Sequence, residues 1–296
     1  MSQSSSIEPF AKDLRTSVDA ALAAYTDFDA GCPEQLREAM RYSLLAPAKR
    51  LRPILVLLAA EACGGSREQA MPAACAVEMV HTYSLIHDDL PCMDDDDMRR
   101  GRPTCHKKFG EALAVLAGDA LLARAFEIIA ADVEEPKAAA ACCAVLAHAA
   151  GATQLVGGQA DDLVGEFFGG NLDTLETIHR RKTGALFLAA LHMGALVADA
   201  SIRERAALEE YGKNLGLAFQ IADDLLDVRG DEQTMGKRAG KDSSHGKLTF
   251  PGVLGVEEST RRAEALVEAA CEALRPLGES ASGLESLARY VLERNH

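Results

Sequence analysis

Long proline-free segments dominate this sequence and limit the folds open to it. Residues Ala73 to Leu90, Thr104 to Glu135, Lys137 to Gly169 and Leu172 to Gly230 are rich in alanine and leucine, with only short β-branched runs, which is helix composition. Apolar residues recur in them at steps of three and four, as in Leu186, Ala189, Ala190, Met193, Leu196 and Val197, the repeat of a helix with a buried face. Many of these helices are apolar round more than half their circumference and need other helices beside them. No Asn-Gly or Asp-Gly dipeptide offers a hairpin. Gly157-Gly158, Gly169-Gly170 and Gly184 are the expected helix ends or kinks. With no linker and no fixed-period repeat, the expectation is an all-α, single-domain bundle over residues 1–296, with long, largely buried helices around a central apolar cavity. Asp231 to Leu248 would be its longest polar connection.

Composition narrows the function. The chain has 296 residues, 48% hydrophobic and 26% charged, enough for a sizeable core. A net charge of −14 argues against a general nucleic-acid binder. An anionic ligand would need a local basic patch or bound cations. The eight cysteines form no C-x-x-C pair, which suggests buried reduced thiols. MSQSSSIEPFAKDL lacks the basic and apolar regions of a secretory signal, and no uninterrupted apolar run approaches the ~18–20 residues of a membrane span. The expected location is the cytoplasm, with no integral membrane segment.

Two acidic clusters stand out. In LIHDDLPCMDDDDMRR, residues 85–100, six aspartates fall within ten positions. On an unbroken helix Asp88 and Asp94 would point about 240° apart. Pro91 cannot continue the helix, so Leu90 to Met93 should loop out and bring Asp94 back beside Asp88. Those two are the expected ligands, with Asp89 close by and Asp95 to Asp97 wetter. The second cluster is FQIADDLLDV, residues 219–228, where Asp223 and Asp227 share a helix face and Asp224 sits beside them. Like charges ~5 Å apart at an effective dielectric of ~20 cost roughly 3 kcal/mol. That repulsion must be offset by hydrogen bonds, basic residues, protonation or a metal. Each cluster alone also fits a plainer role, a solvated acidic turn or helix caps and buried ion pairs. Their shared placement at the ends of apolar helices favours a joint one. Oxygen-only ligands suit a hard cation, Mg²⁺ above all, held through carboxylates and substrate phosphates.

SLIHDDLPCMDDDDMRRGRPTCH and FQIADDLLDV resemble the two aspartate-rich motifs of the trans-isoprenyl diphosphate synthases, the bacterial farnesyl and plant-type geranylgeranyl group. The Leu-Pro insertion in the first motif is typical of that group, and the resemblance runs from about Arg41 to the C-terminus. It implies the isoprenoid-synthase fold, three Mg²⁺ per active site and a homodimer. It also implies two substrates, isopentenyl diphosphate and an allylic diphosphate such as dimethylallyl or geranyl diphosphate. By the resemblance, Asp88, Asp89, Asp94, Asp223, Asp224 and Asp227 hold the metals. Lys49, Arg52 and His81 hold the isopentenyl diphosphate, with Arg100 helping. Arg99, Lys182, Thr183, Gln220, Lys237 and Lys247 serve the allylic diphosphate and its metals, Lys182, Thr183, Gln220 and Lys237 being the catalytic set. Read without the family, Lys49 and Arg52 are equally a surface cap before Pro53, and His81 a core histidine. The P-loop spacing is absent from GKRAGKDSSHGK. One departure is that Pro47-Ala48 stands where the family has Gly-Gly, which questions a backbone contact to phosphate there.

The implied reaction is ionisation of the allylic diphosphate, attack by the isopentenyl double bond, and loss of a proton to the released diphosphate. Apolar helices would keep water from the cation. Tyr83, about 7.5 Å along the helix from Asp88, is placed to floor the tunnel and favour a farnesyl product, or else is an ordinary core tyrosine. Ser84 is small and leaves a geranylgeranyl product open. A terpene cyclase would need neither Lys49 and Arg52 nor the second motif. A non-catalytic subunit of a heteromeric synthase would usually lose one motif, and both are present.

Overall fold

The computed structural model describes residues 7–28, 31–165, 172–229 and 248–293. Its helices are α1 (Ile7–Tyr25), α2 (Glu34–Leu44), α3 (Leu51–Ala62), α4 (Arg67–Asp88), α5 (Cys105–Phe109), α6 (Glu111–Asp132), α7 (Pro136–Ala150), α8 (Leu155–Gly165), α9 (Leu172–His179), α10 (Ala185–Val197), α11 (Ile202–Arg229), α12 (Phe250–Leu254), α13 (Val256–Ala273) and α14 (Ser282–Glu293). The fold is all-α, as the periodicity implies. Helices α3, α4 and α10 lie at its centre, and nine of the twelve residues of α3 are buried. One apolar core runs from Leu14 in α1 to Val291 in α14. A smaller one, Leu175, Leu217, Ile221, Leu225, Phe250 and Ala263, lies under the second half of α11.

Helix α4 is set by its ends. Ser66 and Gln69 form a reciprocal capping box at its start, and at its far end Pro91 follows in a turn. Helix α11, 28 residues and about 42 Å long, carries the second aspartate cluster on its buried final turns.

The structure departs from expectation at two places. A two-residue antiparallel pair, β1 (Met98–Arg99) with β2 (Arg102–Pro103), closes through Arg100-Gly101. Both turn residues have positive φ, 53° and 73°, as a hairpin of primed type requires. The sequence hides this turn because arginine stands where asparagine or aspartate is usual. The helix break in the Lys137–Gly169 segment comes at Gly151, which caps α7 in an extended conformation, and Gly157-Gly158 sit inside α8. That break also divides Pro136–Leu163, a stretch long and apolar enough by length and composition to cross a membrane, with an 18-residue window of mean hydropathy 1.5 that is 33% buried. Helix α7 alone, 15 residues and about 22 Å, falls short of the ~30 Å apolar thickness. Gly169-Gly170 and most of Asp231 to Leu248 lie outside the described residues.

Candidate active site

The first aspartate loop folds back as its proline demands. The Asp94 amide donates to the Asp88 carbonyl at 2.8 Å, the Asp95 amide to Leu90 O at 3.1 Å and the Asp96 amide to Asp89 O at 3.2 Å. Asp94 is thereby returned to the end of α4. The Asp88 carboxyl is pushed up to about 6, first by burial; Lys182 pulls it down, while Asp94 and Asp89 push it further. Asp89 is committed elsewhere: it is buried and accepts from Arg99 Nε at 2.7 Å. Arg99 also reaches Asp96 at 3.9 Å. Asp95 and Asp97 are exposed.

A basic cluster gathers about His81 of α4. Arg52, in the first turn of α3, stacks over the Phe187 ring at 5.1 Å, and its buried Nε has no hydrogen-bond partner among the described residues. Burial lowers its guanidinium to about 10; Glu78 and Asp223 oppose that fall and Arg100 adds to it. The same arginines surround His81, which burial together with Arg52, Arg100, Arg99 and Arg50 holds well below its ordinary range and therefore neutral. Arg100, at the αL corner of the hairpin, is lowered by burial as well, against the pull of Glu78. Cations gathered and desolvated in this way favour the approach of an anion. Lys49 is exposed at the rim. Arg50 supplies the αL residue that starts α3, and Pro47-Ala48 need no positive φ.

Across from this cluster the helix after α9 opens into a π turn, Arg180–Gly184. Such turns displace side chains from the helical ladder and are frequent at functional sites. Here the turn presents Lys182 and Thr183. Lys182 Nζ lies 2.7 Å from Asp162 and Arg181 pairs with Asp161 at 2.5 Å, both acids from α8. Gly158 permits that approach, since a Cβ there would sit 2.9 Å from the Lys182 amide nitrogen. Thr183 Oγ1 donates to Gln220 Oε1 at 3.2 Å, Gln220 Nε2 donates to Asp224 Oδ1 at 3.0 Å, and the Phe250 amide donates to Asp224 Oδ2 at 2.9 Å. Asp224 thus ties α11 to α12, while Asp223 acts on Arg52 of α3. Asp227 is buried on the same helix.

Interactions with Lys182 and Arg52 thus relate the two acidic motifs to the π turn and the basic cluster. Lys237 and Lys247 lie outside the described residues. Tyr83 is buried and meets His87 edge-on, with ring centres 5.7 Å apart, and Ser84 Oγ turns back to His81 O at 2.9 Å. The acids suit a divalent metal: the donors are carboxylate oxygens, and Asp88 is half-buried near Asp94 and Asp89, whose charges oppose its own.

Sequence reasoning missed four residues here. Asp161 and Asp162 stand adjacent in the chain, a weak signal. Gln159 is buried with both amide atoms unpartnered among the described residues, one turn from the Lys182 contact. Glu78 is the lone acid in the apolar run Met71 to Ile86 and was the readable sign of a buried pair.

An all-helical frame with two carboxylate clusters beside the desolvated Arg52 and Arg100 is an arrangement suited to polyanionic ligands held through cations. Comparison with known proteins supplies the class. Residues 33–279 match the polyprenyl synthetase family model, so the chain belongs to that family. The farnesyl diphosphate synthase of Escherichia coli (strain K12) is 46% identical over 97% of this chain and 99% of its own. A geranylgeranyl diphosphate synthase of Cyanophora paradoxa is 48% identical over 90% of each chain. The apo crystal structure of an FPP/GFPP synthase from Zymomonas mobilis superposes with a TM-score of 0.87 at 39% identity, covering 97% of this chain and 98% of the other.

Proposed function

We propose that this prenyltransferase condenses isopentenyl diphosphate with dimethylallyl and then geranyl diphosphate, and stops at farnesyl diphosphate. The observation that carries the reading is the clustering of Arg52 and Arg100 about a neutral His81, two desolvated cations near the carboxylates of the aspartate motifs. Arg52 and Arg100, with Lys49 at the rim, bind the isopentenyl diphosphate, and neutral His81 donates a hydrogen bond to it. Asp88, Asp94, Asp223 and Asp227, supported by Asp89 and Asp224, hold Mg²⁺, about three ions. Bound there, Mg²⁺ neutralises negative charge on the departing diphosphate.

The chain's own cations do the rest of that work. Lys182 exchanges Asp162 for the allylic diphosphate, joined by Arg99, Lys237 and Lys247. Thr183 of the π turn and Gln220 of α11 orient the leaving oxygen. The carbon–oxygen bond breaks, the isopentenyl double bond attacks the allylic cation, and a proton passes to the diphosphate. Apolar side chains of α4 and α10 exclude water from the cation. Tyr83 closes the space for the growing chain. A geranylgeranyl product is the second reading, favoured by the small Ser84 beside it. Residues 1–296 act as one domain, as a homodimer in the cytoplasm; the exposed Val115 and Leu116 of α6 supply an apolar face for self-association.

The test is product identification with Mg²⁺ and both substrates. A C15 product is expected, with diphosphate released only when both substrates are present. Release from the allylic substrate alone would indicate a cyclase, and no release a binding subunit. Tyr83→Ala should lengthen the product; an unchanged product would remove Tyr83 from chain-length control.

A further inference from the structure

The loop after α4 carries two acids outside the proposed diphosphate site. Asp95 and Asp97 face solvent, and beside them stands His106 of α5, only 5% exposed. One ligating atom from each of the three lies within 4.8 Å of the others. Hydrogen bonding fixes the imidazole's tautomer. Thr104 Oγ1 donates its single proton to Asp96 O at 2.8 Å, and the same oxygen lies 3.2 Å from His106 Nδ1. A hydroxyl with its proton spent can only accept, so Nδ1 carries a hydrogen and Nε2 is the ring nitrogen left to meet a ligand. Nε2 is buried and has no hydrogen-bond partner among the described residues. An imidazole held through Nδ1–H with Nε2 open is the arrangement of a metal-bound histidine.

We propose that Asp95, Asp97 and His106 form a divalent-cation site separate from the diphosphate-bound ions. One nitrogen and two carboxylates suit a transition ion such as Mn²⁺ or Zn²⁺ over Mg²⁺, which prefers oxygen throughout. Ligands about 2.1 Å from an ion lie roughly 3.5 Å apart, so closure from 4.8 Å requires side-chain movement that surface carboxylates can make. Lys107 Nζ, 2.7 Å from Asp97 Oδ1, now balances part of the charge, and a bound ion would replace it. The ion would pin the loop carrying Asp94 to the start of α5, beyond the β1–β2 hairpin. Its role is therefore to position the first aspartate motif.

The experiment uses the full chain in excess Mg²⁺ without prenyl substrates, so its outcome is independent of the prenyl-transfer reading. Zn²⁺ retention is measured by equilibrium dialysis and Co²⁺ binding by visible absorption. One equivalent should be retained against Mg²⁺. Asp97→Asn should weaken it at least tenfold, Lys107→Ala should tighten it several-fold, and Asp88→Asn should leave it in place. His106→Gln should abolish it, with circular dichroism confirming the fold. Because His106 is buried, the surface variants Asp97→Asn and Lys107→Ala are the decisive ones. No retained ion, an ion indifferent to both surface variants, or an ion lost with Asp88→Asn would overturn the proposal.

Discussion

Arg50 and Arg52 stand two residues apart, and the fold treats them in opposite ways. Arg50 is 2% exposed and fully partnered: its guanidinium reaches Asp19 at 2.7 Å, Glu78 at 2.8 Å, and the carbonyls of Leu44 and Ala46 at 2.7 and 3.1 Å. Arg52 rests on an aromatic ring with its Nε unpartnered among the described residues, and its guanidinium is lowered to about 10. A compensated buried charge holds the α2–α3 connection against α4. An under-compensated one suits the ligand-binding role proposed for it. The same contrast separates Asp224, both of whose oxygens accept hydrogen bonds, from Asp88, whose carboxyl is pushed up to about 6.

The contrast can be broken most forcefully at Arg50. Arg50→Ala strands Glu78 in the core, where removing one partner of a buried pair costs about 3–5 kcal/mol. Urea unfolding should show a loss of that size, and a loss below about 1 kcal/mol would deny Arg50 its structural role. Asp224→Ala comes next. It leaves the Phe250 amide without its acceptor and should cost about 1–3 kcal/mol, measured by thermal melting.

The third effect depends on pH. An acid held above its ordinary value favours the folded chain when protonated, so burial of Asp88 is harmless below the usual carboxylate range and weighs against folding as pH rises through about 6. Bound divalent cations relieve that cost. Apparent cation affinity at this motif should therefore fall about tenfold from about pH 7 to about pH 5, followed by calorimetric titration. A flat profile would mean that Asp88 is not a ligand.

Much of this site is readable along the chain, because some signals are local. Pro91 forces the turn that brings Asp94 to Asp88, and the i, i+4 spacing of Asp223 and Asp227 needs only a helix. Other features depend on partners far away in sequence. The Arg50–Glu78 pair spans 28 residues, and Lys182 meets an acid on a helix 20 residues earlier. The π turn is an insertion into a regular pattern, and only Gly184 at its end, an expected end or kink, signals a break there; Arg180–Thr183 give no sign of it. Arg100-Gly101 closes a hairpin in which φ > 0 falls on arginine, a residue type that gives no warning.

The most direct test of the central claim compares melting of the parent and of Arg52→Met, each with and without isopentenyl diphosphate. The account predicts that Arg52→Met melts no lower than the parent without ligand, because a desolvated cation whose Nε is unpartnered among the described residues is replaced by an apolar side chain. It also predicts that the ligand raises the parent's melting temperature and leaves the variant's nearly unmoved. A variant that melts well below the parent, yet gains the full ligand shift, would make Arg52 architecture and contradict the account.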